Sequence, residues 1–385
     1  MHGTTRSKIN DASDRPLGYR IKQLNTGLLF LVSISCCIGV AMLYSAANGD
    51  MSPWAGKHLQ RFLFCLVLAV LIALVDTRIF LRSAYFLYIL NLALLLAVEL
   101  AGHVGMGAQR WIDLYFIKLQ PSELMKVVLI LALARYFHGR TFEEIGRPIY
   151  LVIPILIVLS PVILVMRQPD LGTAGMILII GSTIFFLAGV RLWKFIVLFL
   201  TGLASIPVVW QFLLEYQKKR ILIFLNPEGD PLGAGYHLLQ SKIALGSGGI
   251  LGKGFLNGSQ SHLNFLPEKQ TDFIFTMLAE EFGLFGGLFV ILLFFIIIGY
   301  GYVISFHINN KFGRLVTLGM TTAIFLYVFI NIGMVMGLIP IVGVPLPFIS
   351  YGGTSLLAAM MAVGFILNGY IFRHIDISRF SSEQD

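Results

Sequence analysis

The chain has 385 residues, 57% of them hydrophobic and only 12% charged, and a mean hydropathy of +0.83. Soluble domains carry about 25% charged residues, so this composition leaves too little polar surface to wrap a globule of this size and excludes a water-soluble enzyme. The 28 basic against 20 acidic residues, a net +8, are scattered between apolar runs and form no stripe, which argues for orientation in a membrane and against nucleic-acid binding.

One crossing takes about 20 apolar residues. The chain offers ten such runs, near 27–47, 60–75, 83–101, 122–138, 148–166, 172–190, 193–214, 282–305, 314–338 and 353–372. The reading is an all-α integral membrane protein of ten transmembrane helices. A cytoplasmic tail covers 1–26, a single polytopic domain 27–372 with an extracytoplasmic loop at 215–272 between the seventh and eighth helices, and a second cytoplasmic tail 373–385. With the N-terminus inside, the inner segments hold Arg20, Lys22, Arg78, Arg82, Arg140, Arg147, Lys311, Arg314 and Arg373 among others. The short outer loops hold Lys57, Arg61, Arg110, Lys118 and Arg167. That asymmetry puts both termini in the cytoplasm and the loops after the third, fifth, seventh and ninth runs outside.

In the first two runs, Cys36, Cys37 and Cys65 have neither disulfide nor metal-ligand spacing and read as small hydrophobes. Ser45-Ala46-Ala47 resembles a signal-peptidase site, but the run before it exceeds the about 7–15 residues of a signal core, so it reads as an uncleaved span. The third outer loop carries Gly107 to Ile112 and then Gln120-Pro121-Ser122-Glu123-Leu124-Met125-Lys126. Pro121 and Ser122 suit a helix start. Glu123 and Lys126 fall three apart on one face, either as an ion pair steadying the span or as the wall of a cavity for a charged ligand group. In the fifth loop, Arg167-Gln168-Pro169-Asp170, Asp170 either caps the next span or meets substrate, and Arg167 is a candidate anion contact.

The long seventh loop begins with Lys218-Lys219-Arg220, turns at Asn226 to Asp230, and continues as Tyr236 to Leu245. There the spacing of Leu238, Leu239, Ile243 and Leu245 predicts a helix along the membrane surface. Gly246-Ser247-Gly248-Gly249 and Gly252-Lys253-Gly254 follow, either as simple turns or as backbone amides presented to phosphate. Next comes Leu266-Pro267-Glu268-Lys269-Gln270-Thr271-Asp272-Phe273-Ile274-Phe275, where an acid stands at re-entry into the apolar phase. Asp272 is either the N-cap of the following helix or a general base at the lipid–water boundary. After the ninth run, Gly337 to Ser355 is apolar but too rich in Pro and Gly for a helix. Irregular backbone at that depth must be buried or line a cavity, so it reads as a re-entrant segment before the tenth helix.

These motifs carry a resemblance. Arg110-Trp111-Ile112, the stretches 120–126 and 168–173, Gln240-Ser241 with 246–249, and the stretches 266–275 and 345–355 stand in the order seen in the SEDS family, the RodA and FtsW glycosyltransferases of bacterial cell-wall synthesis. The likeness spans roughly 105–360, and Gly343 to Phe348 is more similar to the RodA branch, of elongation and cell shape, than to the division branch. Gln270 departs from the pattern, since many relatives carry His there.

The resemblance implies a peptidoglycan polymerase that uses lipid II in the outer leaflet and releases undecaprenyl pyrophosphate, with Asp272 as catalytic base. It implies substrate contacts from Arg110, Glu123, Lys126, Arg167, Asp170, Gln240, Ser241, Lys253, Glu268, Lys269, Ser350 and Tyr351. Basic groups, a divalent cation (Mg or Mn), or both stabilise the departing pyrophosphate, and no organic cofactor is expected. Expected partners are the nascent glycan and a class B penicillin-binding protein. The bottom-up reading agrees, because outside the cytoplasmic membrane a donor must bring its own leaving group. A lipid II flippase should show half-to-half repeats and midplane polar groups, and neither is evident; a pure scaffold would not need the solitary carboxylate at 272.

Overall fold

The computed structural model describes residues 16–101, 103–105, 108–113, 118–212, 218, 222–223, 234–262 and 268–377. The terminal tails up to 15 and from 378, Gly107, Lys219, Arg220, the Asn226–Asp230 turn and Leu266-Pro267 lie outside the described residues.

A short helix α1 (Leu17–Lys22) leads to α2 (Thr26–Ala46), which Asn25 caps by accepting from the Leu28 N–H. Then come α3 (Ala55–Leu74), α4 (Thr77–Ala101), α5 (Pro121–His138), α6 (Phe142–Gly146), α7 (Val152–Arg167), α8 (Leu171–Ala188) and α9 (Leu192–Phe212). The second half holds α10 (Ala234–Ser247), α11 (Ser259–His262), α12 (Ile274–Phe306), α13 (Lys311–Val335) and α14 (Gly353–Ile371). Among the described residues, eight helices are long and apolar enough to cross a membrane. Two of the expected spans are of another kind. In α5, Glu123, Lys126 and Arg135 interrupt the apolar run, and α9 is apolar over the shorter stretch Leu192–Pro207.

The two central helices are α13 and α14, each 72% buried over its most apolar window. They pack on each other, α13 also against α5, α8 and α12, and α14 against α3, α5 and α12. By contrast, most of α9 is exposed, as expected of a helix whose neighbours are lipid chains.

The all-α reading needs one correction. The connection after α4 contains three short strands, β1 (His103–Gly105), β2 (Ala108–Asp113) and β3 (Lys118–Leu119), paired antiparallel in the order β1-β2-β3. Trp111 and Ile112 are strand formers in a stretch too short for helical periodicity to show. The predicted surface helix exists as α10, but its inward face is Leu238, Ser241 and Ala244 while Ile243 is 51% exposed. A polar residue, Ser241, occupies the buried face, which apolar spacing alone did not reveal.

Between α13 and α14 the chain from Met336 to Gly352 has no regular helix, and Val344, Leu346, Phe348, Ile349 and Ser350 are buried in it. This is the irregular, buried stretch that its Pro and Gly content predicts before the last helix. Its polar backbone is satisfied internally, as the bilayer demands: His58 Nε2 on α3 donates to the Phe348 carbonyl at 2.9 Å, and the Leu346 N–H donates to Ser350 Oγ at 2.8 Å. Gly39 on α2 lets the two backbones touch, since a Cβ there would stand 2.7 Å from Ile349 Cα and O. Neither atom can give way cheaply, so Gly39→Ala is expected to destabilise the protein by about 1–3 kcal/mol. A thermal unfolding midpoint equal to that of the wild type would show that the segment is not held there.

Candidate active site

Three groups of side chains meet around the segment from Met336 to Gly352. The first is the turn that bears Asp272. The cap position of α12 is Phe273, and no side chain caps that helix, so the N-cap reading of Asp272 does not describe the structure. Three successive carbonyls of the turn are held instead: Gln270 O by the Tyr351 N–H at 2.9 Å, Thr271 O by Ser350 Oγ at 2.6 Å, and Asp272 O by Asn331 Nδ2 at 2.9 Å. Gly343 lies alongside the carboxyl, and a Cβ at that position would be 3.3 Å from Asp272 Oδ2.

Asp272 keeps part of its surface open, yet burial of its carboxyl, with a smaller contribution from the Glu268 carboxylate, pushes its pKa up to about 6. Glu268 has φ 56° and is fixed by Thr271 Oγ1, which donates to its Oε2 at 3.1 Å. Lys269 is 6% exposed, and burial holds its ammonium below the usual lysine range.

The second group is a partly open recess between α5, α13 and α14 of about 420 Å³, open solvent included. Pro345 and Pro347 of the re-entrant segment form one wall, and Glu123, Lys126 and Tyr327 supply its polar groups. Lys126 Nζ donates to Glu123 Oε1 at 2.7 Å, with the two side chains 4% and 7% exposed. Tyr327 closes the set: its hydroxyl donates to Glu123 Oε2 and accepts from Lys126 Nζ, whose ammonium also lies 4.4 Å from the ring centroid. A lone ammonium here would be costly, and these contacts supply its partners. The N-terminal end of α5 is tied to that of α14, as Thr354 Oγ1 accepts from the Gln120 N–H at 3.3 Å and donates to Lys118 O at 3.1 Å.

The third group is the start of α8. Asp170 caps that helix, accepting from the Thr173 N–H at 3.2 Å and from Thr173 Oγ1 at 3.0 Å, so its capping reading holds. The same carboxylate faces Arg110 Nε at 3.3 Å, and Arg110 Nη2 donates to Pro169 O at 3.0 Å. Gly172 abuts Val342, where a Cβ would come 2.8 Å from the carbonyl. Residues 342–351 therefore link Arg110–Asp170, Asp272 and the Lys126 recess. Arg61, 5.0 Å from the Tyr351 ring centroid, adds a cation on the α3 side.

Other candidates stand apart from this cluster. Arg167 reaches Glu99 at 3.5 Å and is 68% exposed. Gln240 is half-buried on α10; its neighbour Ser241 is fully buried, hydrogen-bonded with Thr276 Oγ1 at 2.8 Å and donating to Val335 O at 2.9 Å. Lys253 pairs with Glu280 Oε1 at 2.7 Å and with Ser259 Oγ at 2.7 Å. The glycine loop around it is a packing device: α12 breaks at Gly283 (φ 66°, ψ −160°), and the N–H groups of Lys253 and Gly254 donate to the Glu280 and Glu281 carbonyls at 3.1 and 2.9 Å. Those amides are spent on protein carbonyls and are not free for phosphate.

Sequence reasoning passed over Tyr327, Asn331, Glu280 and Glu281. All four are polar residues inside apolar spans, a signal that by itself marks function or a buried partner; the four-residue spacing of Tyr327 and Asn331 also places them on one helical face.

Residues 23–374 match the model of a family described as cell cycle protein, which takes in FtsW, RodA and SpoVE. The chain belongs to this family. Among relatives of this FtsW, RodA and SpoVE chain is the peptidoglycan glycosyltransferase MrdB of Escherichia coli strain K12, 40% identical over 351 residues that cover 90% of this chain and 93% of MrdB. Stage V sporulation protein E of Bacillus subtilis is 36% identical over 89% of this chain and 95% of its own. Among solved structures, a chain from work on structural coordination of polymerization and crosslinking by a peptidoglycan synthase complex superposes with a TM-score of 0.77 at 31% identity, covering 92% of this chain and 99% of that one. The rod shape determining protein RodA of Thermus thermophilus superposes at 0.69 with 27% identity, over 92% and 98%.

Proposed function

We propose that this chain is the peptidoglycan glycosyltransferase of cell elongation and rod shape. It polymerises lipid II in the outer leaflet of the bacterial cytoplasmic membrane into β-1,4-linked glycan, with ten spans and both termini inside. The observation that carries this reading is the Asp272 carboxyl, held by its own backbone against the re-entrant wall that leads to the Lys126 recess. Its pKa of about 6 suits a general base, which works best when its pKa lies near the ambient pH. Support for the elongation role is the 40% identity to a protein named peptidoglycan glycosyltransferase MrdB.

In this reading the ionised Asp272 takes the proton of the acceptor sugar 4-hydroxyl. The oxygen's electron pair forms a bond to the anomeric carbon of the growing chain. The bond from that carbon to the pyrophosphate oxygen breaks on the opposite face, its electrons leave with undecaprenyl pyrophosphate, and configuration inverts. Arg110 and Lys126 are two cations of this cluster, each already anchored by a carboxylate. Preorganised cations of this kind favour the charge that builds on a leaving group. The remaining sequence-predicted contacts belong to the same reading as sugar and peptide contacts. A divalent cation (Mg or Mn), of the kind bound through one or two carboxylates together with substrate phosphates, belongs to the same reading and would neutralise charge on the departing pyrophosphate when bound. The partner is a class B penicillin-binding protein, supported by the likeness to a chain of a peptidoglycan synthase complex.

Purified chain and partner, given lipid II, are expected to make glycan polymer. Movement of lipid II between leaflets with no polymer would overturn the reading in favour of a flippase. The pH dependence has a definite sign. Below about 6 the raised carboxyl holds its proton and cannot accept another, so kcat/KM is expected to fall about tenfold per pH unit on the acid side and to level off above it. An acid limb at the ordinary aspartate value, about 3.9, would remove Asp272 from this role.

A further inference from the structure

We propose that Asn331, near the C-terminal end of α13, is a positioning residue for the glycosyl transfer, holding the Asp272 turn and the re-entrant wall at a fixed separation through one amide group. The proposal rests on the reading of Asp272 as general base. Asn331 is fully buried. Its Nδ2 donates to two carbonyls from different segments, Asp272 O at 2.9 Å and Val344 O at 2.7 Å. Both neighbours can only accept, so the NH2 end must face them.

The opposite end of the amide, Oδ1, is buried and accepts no hydrogen bond among the described residues. An acceptor left so is unfavourable, and a leucine of similar volume would fill the site without that penalty. What asparagine supplies here and leucine does not is the pair of donors. Of the three ties on the 270–272 carbonyls, two come from Ser350 and Tyr351 of the re-entrant segment itself. Asn331 is the tie from the rigid helix, and so it sets where turn and segment stand relative to the bundle.

Four residues earlier on the same face, Tyr327 holds Glu123 and Lys126. An inverting transfer needs its base on one side of the anomeric carbon and its leaving-group cation on the other. One helix thus spaces both, and misplacement by an ångström costs such a reaction about 10²-fold.

The test compares wild type, Asn331→Leu, Asn331→Asp and Asp272→Asn, each as the full chain with its partner in lipid nanodiscs, for lipid II polymerisation and thermal unfolding. Asn331→Leu is expected to lower kcat by about 10²-fold with KM for lipid II within about threefold of wild type and an unfolding midpoint at or below that of wild type, since the Asp272 and Val344 carbonyls lose their donor. The acid limb of its pH profile should also move down, because a loosened Asp272 carboxyl is better hydrated. A merely structural residue would not move that limb. Glu268 on the same turn is the charged neighbour of Asp272, while Gly343 and Asn331, packed on it from the other elements, are uncharged.

If the leucine variant does not fold, Asn331→Asp decides, since it keeps the shape and the buried acceptor and offers at most one O–H, when protonated, in place of the two N–H donors. A kcat within about threefold of wild type in the variant that folds overturns the proposal. Failure of both to fold assigns Asn331 to the scaffold and overturns it too. An active Asp272→Asn enzyme would instead overturn the underlying base reading, which separates the two failures.

Discussion

Asp272→Asn is expected to abolish polymerisation, with a loss of about 10²–10⁴-fold, the range typical of a missing general base, while the folded protein becomes more stable. The structure explains both halves. The Asp272 side chain caps no helix, because the cap position of α12 is Phe273, and the turn is held by its carbonyls, which Asn leaves untouched. Activity goes because an amide accepts no proton at neutral pH.

Stability rises for a linkage reason. The folded-state pKa of Asp272 is about 6, against 3.8 for the group in water, so the native protein binds the proton more tightly than the unfolded chain does. Stability therefore falls as pH rises through that window, and above it the ionised carboxyl costs roughly 1–3 kcal/mol. The amide carries no charge to bury. Unfolding midpoints at pH 7.5 and pH 4 check this: the variant should exceed wild type at the higher pH, and the gap should close at the lower one. An active variant would refute the base assignment, and a pH-independent gap would refute its electrostatic origin.

The second large effect is expected at the recess. Lys126→Met leaves the Glu123 carboxylate, 7% exposed, facing Tyr327 without its cation. Breaking a buried pair from one side costs about 3–5 kcal/mol, so this variant should unfold well below wild type. The double variant Glu123→Gln with Lys126→Met removes both charges and should regain most of that stability, since a buried pair contributes little net against neutral replacements of similar volume. Activity should not return with it. If the ammonium faces the leaving pyrophosphate, the stable double variant stays down by about 10²-fold. Full activity in the double variant would make the pair purely structural.

Much of this architecture is legible in the one-dimensional pattern. The apolar runs mark helices because lipid offers the backbone no partner outside the chain, and the Pro and Gly density at 337–355 identifies the irregular segment for the same reason. Asp272 stands out as an acid at the point where the chain re-enters lipid, and Glu123 with Lys126 through their three-residue spacing. Other features were hidden. The strands at 103–119 are too short to carry a period, and the inward face of α10 is set by Ser241 meeting Thr276 and Val335, contacts 35 and 94 residues away in sequence.

The amino-acid order alone thus decides which segments lie in lipid and which charges are expensive there, since both follow from transfer energies that depend on local composition. The three-dimensional packing decides the working distances. Asn331 and Tyr327 acquire their roles when α13 passes between the Asp272 turn, the re-entrant wall and α5, and a hydrogen bond between residues 59 or 204 positions apart leaves no trace in local pattern. Glycine 39 reads as an ordinary small residue of an apolar helix until the Ile349 backbone is laid against it. Local chemistry sets each segment's solvent; only close packing brings the Asp272 carboxyl and the Lys126 recess to the same wall.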